Sequence, residues 1–356
     1  MHRSNPCAWG ASLLASVFVL ASAAVSQQPV TIGSASAQPG TRATGFLDVP
    51  AGSDAGTKIP VVIIQGRKSG PVLTLASGSH GTEYSSIIAV EELIHKLDPN
   101  EISGTVILLP LINTASFEQK VPHVNPVDGK SMNRFYPGKK DGTQTERASW
   151  VITQEVVSKS DYLIDFHGGD LDESLRPYAY WSPIGNAKQD AASRAMVEAF
   201  GLDTIILVKE RPTDPNAAKY LDNNSSLRGK PSIAVEAGYA GTTDPADIDL
   251  LTTGTMNVMR YLKMLPGKVS SVEHPVWIAK IDTIASSETG VFYPLVKRGN
   301  FVAAGAKIGY VTDYFGNVVE ESRATAAGVV LYICAVPSMK KGETVAFVGE
   351  VSSQEP

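Results

Sequence analysis

The chain has 356 residues, 43% of them hydrophobic and 19% charged, with 31 Lys and Arg against 36 Asp and Glu and a formal net charge of −5. This length and apolar content suffice for two packed domains, or for one large domain with an appendage. The mildly acidic balance leaves no basic footprint, which argues against nucleic acid as a partner.

Residues 1–26 read as a secretory signal peptide. His2 and Arg3 precede an apolar run from Ala8 to Leu20, and Ala21-Ser22-Ala23 supplies the small residues that a signal peptidase cuts after. A second cut site follows Ala24-Val25-Ser26. The alternative is an uncleaved anchor, because Ala8 to Val25 nearly reaches the length that spans a bilayer. Cleavage predicts an exported protein, periplasmic or secreted, with no stable membrane association afterwards. Cys7 precedes the apolar run and so is misplaced for lipid attachment, leaving Cys334 as the one cysteine of a mature chain. One cysteine cannot form an internal disulfide. In the apolar run "VVLYICAV" it is expected to be a small buried hydrophobe.

From Thr44 to about Leu265 strand-like and helix-like runs alternate. "IPVVIIQG" and "PVLTLASG" are short, β-branched and closed by glycine, as buried strands are. "EYSSIIAVEELIHKL" places Ile87, Ile88, Val90, Leu93 and Ile94 in helical rhythm. Further strands are expected at "GTVILLPLIN", "SDYLIDFHGG", "LDTIILV" and "KPSIAVEAGY", and helices at "TERASWVITQEVVSKS" and "NAKQDAASRAMVEAFG". The alternation predicts an α/β domain over residues 27–268 with a parallel or mixed sheet flanked by helices. After "LPGKVSS" the texture changes to short β-rich segments with turns at Arg298-Gly299-Asn300, Gly305, Phe315-Gly316-Asn317 and Ala327-Gly328. Residues 269–356 therefore read as a small all-β barrel or sandwich.

Three predicted strands end in residues with chemistry. "VLTLASG" runs into His80 and Glu83, "YLIDF" into His167, and "SIAV" into Glu236. In open α/β sheets, functional groups gather beyond the carboxyl ends of the strands, so these positions can meet along one edge. Two imidazoles and a carboxylate around an open position form a catalytic zinc arrangement, and one Zn²⁺ per chain on His80, Glu83 and His167 is the expectation. Asp165 points to the same side of its strand as His167; it either orients that ligand or is a structural carboxylate with its own hydrogen bonds. Hydrolysis also needs a proton carrier, and Glu236, costly to bury without a role, is the candidate general base and acid. Asn133 and Arg134, in "NPVDGKSMNRFYPG", offer an amide and a guanidinium fork for a substrate carboxylate. Tyr239 reads as a packed tyrosine, and the aromatics near Trp181 as cleft wall or core.

"GSHGTE", "NPVDGKSMNRFYPG", "DFHGG" and "VEAG", in that order, resemble the succinylglutamate desuccinylase/aspartoacylase family, a branch of the zinc carboxypeptidase-like fold. The resemblance covers most of the chain from about Thr44, and the C-terminal module is similar to the lipoyl-like β appendage of many bacterial members. It implies zinc on His80, Glu83 and His167, Glu236 as the proton carrier, and Asn133 with Arg134 as the carboxylate clamp. It also implies cleavage of the amide of an N-acyl amino acid.

Two features depart from that pattern. The arginine that commonly precedes the Asn-Arg pair and polarises the scissile carbonyl is absent; "PHVN" stands in its region. His123 or Arg176 is the expected substitute donor, with His123 equally readable as an ordinary loop histidine. Export is the second departure, since the familiar metabolic deacylases are cytoplasmic. The alternatives are a metallocarboxypeptidase acting on short peptides, cell-wall peptides included, and a non-catalytic secreted binding protein. The tight turn "YFGNVV" has no lysine, which argues against a lipoyl or biotin carrier. Homo-oligomer formation is left open.

Overall fold

The computed structural model describes Met1, His2 and residues 27–353, so the expected signal segment lies almost wholly outside the described residues. Among those residues, no helix is long and apolar enough to cross a membrane.

The first elements are a hairpin of β1 (Val30–Ile32) and β2 (Ala35–Ala37), then β3 (Thr41–Val49), β4 (Thr57–Gln65) and β5 (Lys68–Ser77). Helix α1 (Tyr84–Lys96) leads into β6 (Ser103–Leu109) and the short α2 (Thr114–Gln119). The continuous apolar run of β4 is buried on both faces, as a strand sandwiched between layers must be. Helix α3 (Gln144–Glu155) starts in a capping box, with the Thr143 and Glu146 side chains each bonded to the other's backbone amide. Next come β7 (Tyr162–His167), β8 (Glu173–Trp181), α4 (Ala187–Phe200) and β9 (Thr204–Leu207). The glycine expected to end α4 does so: Gly201 closes it at φ 86°. Then follow α5 (Leu221–Ser226), β10 (Ser232–Tyr239) and α6 (Pro245–Tyr261), which Asp244 caps with Pro245 as its first residue.

Everything after α6 is strand and turn: β11 (Val276–Ala285), β12 (Gly290–Pro294), β13 (Phe301–Val302), β14 (Lys307–Thr312), β15 (Val318–Arg323), β16 (Gly328–Cys334), β17 (Ser338–Met339) and β18 (Thr344–Val351). These strands do not stand apart. The large sheet runs β3-β4-β6-β5-β7-β10-β8-β9-β11-β18-β16-β13, and β16 also pairs with β8. Strands β8, β9, β11, β18 and β16 thus close into a ring, two strands from the α/β part and three from the C-terminal part. A four-stranded sheet, β15-β14-β12-β17, packs beside it. The sheet is mixed: β5, β6, β7 and β10 run parallel, whereas β8 is antiparallel to β10.

Three cores follow from this layering. Leu75, Phe166 and Val235 pack with Leu93 of α1 and Met259 of α6 on one face. Leu163, Ile107 and Ile63 pack with Ile152 of α3 and Leu221 of α5 on the other. The ring and the small sheet enclose Ile206, Ile278, Ile308, Val330 and Val348. Cys334 lies buried there, as a small hydrophobe is expected to. Strand alternation then sorts the polar residues: with Phe166 and Val235 turned to the first core, Asp165, His167 and Glu236 face the opposite side together.

Candidate active site and metal centre

His80 and Glu83 sit in the turn that joins β5 to α1. Two close approaches require its small residues. A Cβ on Gly81 would lie 2.3 Å from the amide nitrogen of Phe117, and one on Gly238 would lie 2.4 Å from the amide of Gly169. The glycines of "SHGTE", "HGG" and "EAG" therefore let three loops converge. Thr82 Oγ1 bonds the buried Asp170 carboxylate, tying the first loop to the one after β7.

His80, Glu83 and His167 each offer a ligand atom, and these atoms lie within 4.8 Å of one another. Both imidazoles turn Nδ1 to the same carboxylate: His80 Nδ1 lies 2.7 Å from Glu83 Oε1, and His167 Nδ1 lies 3.0 Å from Oε2. The amide of Gly168 donates to Oε2 at 3.1 Å. The other ring nitrogens are held from outside, His80 Nε2 by Ser131 Oγ at 3.2 Å and His167 Nε2 by the Asn133 amide at 3.1 Å. Two borderline-soft nitrogens and one oxygen, oriented by outer partners, fit a zinc-type ion. Burial raises the Glu83 carboxyl, but His80 and His167 outweigh it and hold the group down at about 2. Burial works against the charge on His167, yet Asp165 and Glu83 push its imidazole well above the ordinary histidine range.

These residues line one side of a cavity of ≈ 380 Å³. Glu236 lines it too, with no hydrogen-bond partner among the described residues. Burial, reinforced by Glu83, Glu173 and Asp165, pushes its carboxyl well above the usual range against the pull of His167. Glu173 also faces the cavity, its carboxyl pushed up to about 8 by burial and by Glu83.

The remaining expected residues are placed as follows. Arg134 lines the cavity edge, exposed, with its guanidinium 4.9 Å from the Tyr220 ring centre. Asn133 also lines the cavity, but its amide is committed: Nδ2 faces His167, and Oδ1 accepts from the Leu221 amide at 3.2 Å. Asp165 Oδ2 lies 3.4 Å from His167 Nε2, while neither of its buried oxygens has a hydrogen bond. Asp165 thus stands beside the His167 ring, on the side that strand alternation gives it, without hydrogen bonds of its own among the described residues.

The two expected carbonyl donors are corrected. Arg176 does not reach the cavity; it sits on the far side of β8, bound to Asp203 Oδ2 at 2.8 Å and Thr204 Oγ1 at 2.9 Å. His123 does not line the cavity either. Its ring is fixed between Asp172 at 2.9 Å and Asp170 at 3.3 Å, 6.2 Å from the His80 ring. Tyr239 is 42% exposed rather than packed, and of the aromatics near Trp181, Tyr178 and Tyr180 line the cavity while Trp181 joins the core.

Arg211, absent from the sequence reading, is the second guanidinium of the cavity. It lies 3.8 Å from the centre of the same Tyr220 ring, with Nη1 buried and unpartnered and Nη2 3.5 Å from Asp222. It follows a loop with no motif, so no sequence signal marks it. Two further wall residues, Ile281 and Phe347, come from the C-terminal strands β11 and β18.

A mixed α/β sheet with a His-Glu-His set at its strand ends and an unpaired carboxyl beside it defines a hydrolase with a metal-capable centre. The chain belongs to the succinylglutamate desuccinylase/aspartoacylase catalytic domain family, a family of amide hydrolases, which matches residues 69–262, more than half of its length. This is the family that the four sequence motifs resemble. The chain is similar to the N-alpha-acetyl-L-2,4-diaminobutyric acid deacetylase of Halomonas elongata, with 29% identity over 317 residues, 86% of this chain and 91% of that protein. Among solved structures it is similar to the product-bound ectoine utilization protein EutE (DoeB) from Ruegeria pomeroyi, at 25% identity and TM-score 0.80 over 90% of this chain and 98% of that one. An aspartoacylase family protein from Mesorhizobium loti matches at 26% identity and TM-score 0.75, over 89% and 96% of the two chains.

Proposed function

We propose that this protein is an exported zinc-dependent deacylase that cleaves the amide of an N-acyl amino acid. The observation that carries the reading is the convergence of His80, Glu83 and His167 with the unpaired Glu236 in one cavity, in a chain of an amide hydrolase family. Zinc held by His80, Glu83 and His167 would supply a Lewis acid for the scissile carbonyl and a more acidic water. Glu236 takes the proton of the attacking water on its carboxylate and passes it to the leaving nitrogen. Asn133 and Asp165 keep the His167 ring in place. Arg134, with Arg211 beside the same tyrosine, binds the substrate carboxylate and so fixes the amide at the reacting end of the cavity. The deacetylase relative supports a small acylated amino acid as substrate. Export rests on the signal pattern of residues 1–26; finding the protein with residues 1–26 intact in the cytosolic fraction of its host would sink it.

The test is metal content and amine release from a panel of N-acyl amino acids and short peptides. The wild type is expected to hold about one zinc per chain, in the stoichiometry of a single three-ligand site. His80→Ala should lose the metal and the activity together. Glu236→Gln should keep the metal and lose turnover; near-normal rates in that variant would refute the role given to Glu236.

A further inference from the structure

The pairing of β10 with β8 slips directly after Glu236. Glu236 faces Tyr178, but Gly238, two residues on, faces Leu175, three residues back along β8. The extra residue lies on β8, at Arg176-Pro177, and Pro177 has no amide hydrogen to give to the ladder. A bulge of this kind disrupts local pairing, bends the strand and re-aims the side chains next to it.

One side chain from the C-terminal strands holds both flanks of this bulge. Arg298, in the turn between β12 and β13, donates from Nη1 to the carbonyl of Leu175 at 2.6 Å and to that of Gly238 at 2.8 Å. Its charge faces Asp247 Oδ2 at 3.5 Å, a buried carboxylate in the first turn of α6, and its guanidinium lies 5.8 Å from the Tyr239 ring centre. The following glycine shapes the turn: Gly299 has φ 84°, and its amide donates to Val330 of β16 at 2.7 Å. Hydrogen bonds from a charged donor are the strong ones, and here two of them bridge the paired residues Leu175 and Gly238.

We infer that Arg298 is a positioning residue for Glu236: it clamps the β8–β10 bulge and so fixes the aim of Glu236 into the cavity. The inference rests on the reading of Glu236 as the proton carrier. It gives the C-terminal strands a part in catalysis, since the group that sets the proton carrier's strand comes from them.

The experiment uses the whole chain from residue 27, N-α-acetyl-L-2,4-diaminobutyrate and the N-acyl panel as probes, and amine release as readout. Arg298→Ala is expected to lose about 10- to 100-fold in kcat, the scale of a small misplacement of a reacting group. KM should stay within about twofold and zinc content unchanged, because the bulge lies after Glu236 and contributes no ligand. Guanidinium ion, added far below denaturing concentration, should restore part of the lost rate. The deciding comparison is the double variant: Glu236→Gln with Arg298→Ala should be no slower than Glu236→Gln alone, since a positioning residue has nothing left to position. A kcat within twofold of wild type in Arg298→Ala, or an additive loss in the double variant, overturns the inference while leaving the proposed function standing. If Arg298→Ala does not fold, Arg298→Lys decides; it keeps the charge but loses the fork, so a wild-type kcat in it also overturns the inference. Wild-type rates in Glu236→Gln, or no turnover of any probe by the wild type, overturn the reading of the site and this inference with it.

Discussion

Asn133 offers the sharpest separation between two roles for one side chain. As a clamp it would bind the substrate carboxylate; in the structure its two amide ends bond His167 Nε2 at 3.1 Å and the buried Leu221 amide at 3.2 Å. Asn133→Ala removes both. The orphaned Leu221 N–H costs about 1–3 kcal/mol of stability, the usual penalty for a buried unsatisfied group. The freed imidazole costs about 10- to 100-fold in metal affinity, as losses of a ligand's outer partner do, which corresponds to about 1.4–2.8 kcal/mol. The assay is chelator competition for zinc on wild type and variant, with thermal melts of the metal-free proteins and with KM measured at saturating zinc. A lower zinc affinity, a lower melting temperature and a KM within about twofold are expected. Unchanged zinc affinity with a rise in KM alone would show that the amide grips substrate, and would refute the reasoning.

Three further outcomes follow from the same geometry. Burial opposes a charge on the His123 imidazole, but Asp172 and Asp170 outweigh it and push the group up to about 9. A raised folded-state value means that its contribution is complete below the unfolded value of about 6.5 and is lost as pH rises through 9, so His123→Gln should flatten the fall in melting temperature across that interval; an unaltered profile would contradict it. Phe347 lines the cavity from β18, so Phe347→Ala should raise KM several-fold, on the order of the 1–2 kcal/mol that a partly buried aromatic contact supplies, while kcat holds; a kcat loss without a KM change would place it elsewhere in the cycle. A chain ended after Lys268 leaves β8 and β9 without β16 and β11, exposing pairing edges beside Leu175 and Ile206; it is expected to aggregate, and a soluble, fully active truncation would contradict the shared ring.

What could be read from the sequence was whatever a strand end announces. His80, Glu83, His167 and Glu236 each follow an apolar β-branched run, and parallel pairing of β5, β7 and β10 brings such ends to one edge. Asp165 beside His167 follows from the two-residue period of a strand. Strand β8 was invisible because Pro177 interrupts it, and with it went the side on which Arg176 lies. Helix α6 is hard to read from sequence because Thr252, Thr253, Gly254 and Thr255 weaken its helical signature, although Asp244 and Pro245 mark its start. Arg211 and Tyr220 meet through a loop, and Ile281 and Phe347 reach the cavity through pairings of strands distant in sequence. Nothing local in those residues records the meeting.

The shared ring changes how the C-terminal strands should be understood. An appendage that merely covered an active site would touch it through loops and could drift or be lost without moving the sheet. Here β16 bonds directly to β8, whose opposite edge pairs with β10, the strand that carries Glu236, and β11 continues from β9 in parallel register. Leu175 sits at the corner: it pairs with Gly238 on one side and Tyr332 on the other, lines the cavity, and gives its carbonyl to Arg298. The core within the ring and the wall of the cavity therefore share strand β8, so a change in packing inside the ring reaches Glu236 through the β8–β10 ladder. Substitutions that loosen the ring core, such as at Ile206 or Val330, should for that reason show up in turnover before they show up as loss of the α/β sheet, whose two cores include neither residue.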